Sequence, residues 1–245
     1  MKVVDAYTVV LDENSTEAPK EAEGVNAIVK RTINANEWST IVLPFAMSEE
    51  QVKEAFGEDV KVKDFTGIDF DEENDHITVN FVPVNQIEAN HPYIIKVSEK
   101  ISEFSVNGVN IIPKEEPVVV FGTGGKGRHT RGYQACDFVG TYVSNYNILD
   151  GTSSTVNYPL FLSENKFWYA DEEPGYLKAF RAFFDFYVFD NPSAGVRISM
   201  SSDDLTGINN VTIQSDGKYY NLNGLRVETP SKGVYIKDGK KVVVK

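Results

Sequence analysis

Short runs of β-branched and aromatic residues, each closed by Gly, Pro, Asn or Asp, recur along nearly the whole chain and leave little room for anything but strands. They begin with YTVVL (7–11), VNAIVKRTI (25–33) and WSTIVLPF (38–45). They continue through HITVNFVPV (76–84), PYIIKV (92–97), FSVNGVNII (104–112), PVVVF (117–121), YPLFL (158–162), KFWYA (166–170) and VRISM (196–200). Pro44 has no amide hydrogen to give to a ladder, so it should end the third run or lie on an edge. Only the segment after it has convincing helical spacing: Ser48 caps the start, Gln51 completes a capping box, Val52 and Phe56 share a face, and Gly57 closes the end. Many short strands with one short helix predict an all-β fold whose main domain is sandwich-like.

Lys178 to Phe189 is apolar enough for a buried helix, yet Phe180, Ala182, Phe184, Phe186 and Val188 alternate at period two. The segment therefore reads as a central strand, and Arg181 on its other face would need a carboxylate or carbonyl partner if buried. Near the end of the chain, Asp216-Gly217, Asn223-Gly224 and Asp238-Gly239 each separate short runs of Val, Ile and Tyr, the strongest local signal for tight hairpins. The polar stretch SSDDLTGIN (201–209) marks a boundary, giving a main domain over 1–205 and a small β-hairpin module over 206–245. So small a module cannot bury a core of its own and should dock on the main domain or on another chain.

Among the 245 residues, Asp and Glu outnumber Lys and Arg to a formal net charge of −12, which repels phosphate backbones and argues against nucleic acid as a partner. No run of about eighteen apolar residues exists, so a membrane-spanning helix is not expected. MKVVDAYTVV lacks the basic and apolar regions of a secretory leader. Two readings follow: a cytoplasmic protein, or an exported one in which Met1 replaces a removed leader. The single Cys136 forbids an internal disulfide and reads as a small buried hydrophobe.

Four features invite chemistry. Asp69, Asp71, Glu73 and Asp75 place carboxylates at alternate positions, as a calcium loop begins, but the central glycine and final glutamate of an EF-hand are missing. A solvated hairpin loop before HITVNF explains the run without metal. In FGTGGKGRHTRG (121–132), Lys126, Arg128 and Arg131 sit among glycines able to cradle an anion, yet the spacing fails the phosphate-loop template. A mobile surface loop open to sulfated or carboxylated glycans fits that stretch better. His76, His91 and His129 have no ligand spacing, and His91 precedes Pro92 as a turn residue would. Trp168 and Tyr169, with Tyr176 close in sequence, form a possible sugar-stacking platform, since one of two adjacent strand residues must face outward. Trp38, within an apolar run, belongs to the core.

The phrases YTVVLDENSTEAP, VKRTINANEWSTIVLPFAMSEEQVKEAFG, HPYIIKV, FVGTYV, YPLFLSENKFWYA and KAFRAFFDF, in this order, resemble a β-rich module of secreted and surface proteins of the Bacteroidetes. That module often stands beside leucine-rich-repeat regions of adhesin-like proteins. The tail YYNLNGLRVETPSKGVYIKDGKKVVVK is similar to a short form of the C-terminal sorting domain of the type IX secretion pathway. The resemblance implies export to the outer cell surface, a β fold and a non-enzymatic role, and it supplies no catalytic residues or cofactor. No leucine-rich repeat is present in this chain.

The expected function is that of a secreted or cell-surface adhesion or interaction domain meeting a protein or a glycan, with a carbohydrate-binding module as the alternative. A glycoside hydrolase would need paired carboxylates across a cleft, and acidic residues are plentiful enough to leave that reading open.

Overall fold

A computed structural model describes residues 7–71, 76–114, 117–121, 133–148, 156–169, 176–188 and 197–200, and in the tail 219–220, 226–227, 233–237 and 240–244. In chain order the elements are β1 (Thr8–Asp12), β2 (Ala22–Lys30), β3 (Trp38–Ile41), α1 (Glu49–Phe56), β4 (Lys61–Asp71), β5 (His76–Val84), β6 (Tyr93–Lys96), β7 (Phe104–Ile111) and β8 (Val118–Phe121). After them come β9 (Tyr133–Thr141), β10 (Tyr146–Asn147), β11 (Val156–Ser163), β12 (Lys166–Tyr169), β13 (Tyr176–Leu177), β14 (Arg181–Val188) and β15 (Arg197–Met200). The tail holds β16 (Tyr219–Tyr220), β17 (Arg226–Val227), β18 (Gly233–Lys237) and β19 (Lys240–Val244). The fold is all-β.

Two five-stranded sheets face each other, one ordered β15-β5-β4-β6-β3 and the other β12-β11-β14-β9-β8. Between them lies an aromatic core. Phe65 and Phe81 come from the first sheet, and Phe138, Phe167 and Phe184 from the second. The rings of Phe138 and Phe184 stack with centroids 4.3 Å apart, while Phe65, Phe81 and Phe167 meet Phe184 edge-on, the preferred arrangements for aromatic pairs. Phe65 and Ile68 reach the same core although strict alternation would send them to opposite faces. The reason is a bulge: Phe65 pairs with Phe81 but Gly67 pairs with Asn80, and Gly67 takes the positive φ of 129° that the kink requires.

A second core gathers around the three-stranded sheet β1-β2-β7 and the helix, with Val25, Ala27, Val29, Phe56 and Phe104 buried together. Ser48 and Gln51 form the expected capping box on α1, and the Gly57 amide bonds back to the Lys53 carbonyl. The third run departs from expectation. Its strand stops at Ile41, and Val42–Phe45 continue as buried irregular backbone within the second core, with Val42 N donating to Phe180 O and Ile112 N to Pro44 O.

β14 is the middle strand of its sheet, and Ala182, Phe184 and Phe186 turn inward as their spacing predicts. Phe180 does not join them. Its φ of 60° breaks the extended backbone ahead of Arg181, and its ring packs in the second core. In the tail, β18 and β19 pair with Lys237 opposite Lys240, so the two strands flank Asp238-Gly239, and the sheet there is ordered β17-β16-β18-β19.

Candidate functional site

The β11–β12 hairpin carries the most exposed tryptophan, and the sequence explains how it is held. Glu164 and Asn165 both adopt positive φ (52° and 58°), as a two-residue I′ turn demands, with Ser163 opposite Lys166. Asn165 then reaches across the sandwich: its Oδ1 accepts the Trp38 amide at 2.7 Å and its Nδ2 donates to Asn36 O at 3.3 Å. The hairpin tip is thus pinned to the start of β3. Alternation on β12 turns Phe167 into the core and Trp168 outward, where its indole is 43% exposed. Trp168 Nε1 donates to Ser163 O at 3.0 Å, which fixes the ring plane.

Trp168 sits directly opposite Phe161, a half-buried residue on β11. One position beyond the Leu160–Phe184 pair, Phe161 lies beside Phe183, which in turn opposes Val139. These residues make an apolar row across the outer face of the sheet. The ribbon of β10 and β13 covers its inner end, with the Tyr146 ring 6.1 Å from Phe183. Trp168 and Phe161 are left at the open end. Tyr176, on the same ribbon, is 60% exposed. Tyr169 lies on β12, but its side chain is outside the described residues.

The acidic run differs from the loop expected of it. Asp69 and Asp71 belong to strand β4, paired with Thr78 and His76, and Asp69 Oδ2 accepts a hydrogen bond from Asn80 Nδ2 at 2.8 Å. The long β4–β5 ladder extends the strand through them, because the hairpin closes only after Asp71. Glu73 and Asp75 lie outside the described residues, as do Lys126, Arg128 and Arg131 of the glycine-rich stretch and His129. Among the described residues no three His, Cys, Asp or Glu side chains are grouped to hold a metal ion.

A second arrangement was not legible beforehand. His91 Nε2 lies 2.7 Å from Asp64 Oδ1, and its ring packs 4.7 Å from that of Tyr93. They line a cleft of about 450 Å³ together with Glu49, Glu88 and Gln86. Burial, the larger effect, pushes the Tyr93 phenol up to about 12, although the Glu88 amide it accepts pulls the other way. The pairing gives an oriented imidazole. The lining contains no Ser, Thr or Cys hydroxyl or thiol for it to activate. Cys136 is fully buried in the aromatic core, and burial pushes its thiol well above the ordinary value.

Asp137 and Asp185 are register partners side by side on the adjacent strands β9 and β14, not carboxylates on opposite walls of a cleft as glycoside hydrolysis requires. Asp137 is only 4% exposed, which closes it to a sugar ring. No helix among the described residues is long and apolar enough to cross a membrane. A scan against protein-family models, a search of curated proteins and a search of solved structures each found no match.

Proposed function

We propose that this chain is a non-enzymatic interaction module of the cell exterior that binds carbohydrate on the outer sheet face at Trp168. The observation that carries the reading is the exposed indole held in one plane by Ser163 O beside Phe161. A flat ring fixed in advance presents an apolar face to the CH side of a pyranose without losing side-chain freedom on binding. One exposed ring beside a half-buried one at a sheet edge suits a chain end or a short glycan segment. The exterior placement rests on the sequence resemblance, above all that of the tail.

The deciding experiment is a broad glycan array probed with the parent chain and with Trp168→Ala, in calcium and in chelator. Binding by the parent that falls at least tenfold in the variant supports the proposal; a blank array, or a hit indifferent to the substitution, overturns the carbohydrate assignment. A protein partner is the second reading, favoured by β1, the outermost strand of its sheet among the described residues, with Val10 exposed on it and Tyr7 exposed just before it.

A further inference from the structure

Where β2 ends and β3 and β14 pass, two arginines meet in the interior. Arg31 is fully buried, and its Nη2 donates to Thr40 O. Thr40 also ties the neighbouring strand, because its hydroxyl donates to Ala182 O at 2.9 Å and accepts from Ala182 N at 2.8 Å. The residue before Ala182 is Arg181, whose Nη2 donates to Glu13 Oε2 at 2.7 Å and lies 3.5 Å from Thr32 O, the residue after Arg31. Arg181 therefore reaches the neighbour of Arg31 directly, and Arg31 is tied to the neighbour of Arg181 through Thr40.

The charges do not balance. Among the described residues Glu13 is the carboxylate of this cluster and is shared between Arg181 and Lys178, while Arg31 has a neutral carbonyl as its hydrogen-bonded acceptor. Lys178 is half exposed and solvated, so two guanidiniums face one buried carboxylate. Three buried donors, Arg31 Nε, Arg31 Nη1 and Arg181 Nε, have no acceptor among the described residues. An arginine cannot shed its proton to escape this, and buried donors as a rule find a partner.

We infer that Arg31 and Arg181 together bind a small monovalent anion of chloride size, which supplies the missing acceptor and neutralises the excess positive charge. The fully closed setting of Arg31 excludes a phosphate ester or a glycan carboxylate, so the ion is a structural ligand joining the β2 end to β14. Arg181, partly exposed, gives it a route of entry. Neutralisation by an ion fits a guanidinium pair better than water does, because water leaves the net charge in place.

Thermal unfolding of the full chain is measured in sodium chloride and in sodium gluconate at equal ionic strength. Tm is expected to rise with chloride by about 5 °C between a chloride concentration near its Kd and roughly a hundred times Kd, and to stay flat in gluconate. Crystals grown in bromide are expected to carry an anomalous peak in contact with Arg31 Nη1 and Arg181 Nε. Arg31→Met should lose the chloride dependence; if that variant does not fold, the two measurements on the parent chain decide. A bromide map without that peak, or identical melting in the two salts, overturns the proposal.

Discussion

Glu13 is a buried carboxylate that serves two cations, Lys178 at 3.0 Å and Arg181 at 2.7 Å. Burial pushes its pKa up, but the hydrogen bonds from Lys178 and Arg181 outweigh burial and hold it below the ordinary glutamate value. A carboxyl group depressed in the folded state stabilises the fold above its unfolded pKa, and that stabilisation is lost as pH falls through the folded value. Glu13→Gln is therefore expected to cost about 3 kcal/mol at pH 7 in urea unfolding. The gap from the parent chain should shrink below about pH 4. An equal deficit at pH 7 and pH 3 would show that the charge is not responsible. The sequence read alone states Arg181's need for a carboxylate or carbonyl, because burial on an apolar strand implies it. It does not name Glu13, which lies 168 residues away. His91 is hidden for the same reason: Pro92 explains it as a turn residue, and Asp64 arrives only through the pairing of β4 with β6.

Elements were more legible where their signals are local. The capping box of α1, the inward face of β14 and the strands flanking Asp238-Gly239 follow from neighbours in sequence, and all three are present. What failed were the ends. Period two runs straight through Phe180, but a positive φ there sends its ring to the other core, and Val42–Phe45 are apolar because they are buried in that second core rather than because they extend β3. This buried segment limits the sheet beside it. Gly140 on β9 lies against Val42, and a Cβ at position 140 would come within 2.9 Å of Val42 Cγ1. Gly140→Ala is expected to cost about 1–3 kcal/mol by overpacking. Val42→Ala should be less damaging in that background than alone, which a double-mutant cycle in urea measures. Strict additivity would mean that the contact is not the cause.

For the whole molecule, composition and spacing give the all-β class, since no other arrangement suits so many short punctuated runs. Sheet order is another matter. β15 joins β5 in parallel, and β1 pairs in parallel with β2, pairings that depend on long-range packing and leave no mark in either segment. Trp168 is legible as one of two residues of which one must face outward; its fixed ring plane, set by an I′ turn and Asn165, is not.

The chain has two tryptophans. Trp38 is 2% exposed within the sandwich core, with Lys63 Nζ 5.5 Å from its ring, whereas Trp168 stands in solvent. The protein thus contains two fluorophores of opposite accessibility. Iodide should quench the red part of the emission and spare the blue, and Trp168→Phe should remove the quenchable fraction alone. A glycan seated on Trp168 would shield that fraction and leave the blue emission unchanged, whereas unfolding moves both. One cuvette can therefore separate ligand binding from loss of fold without any added label.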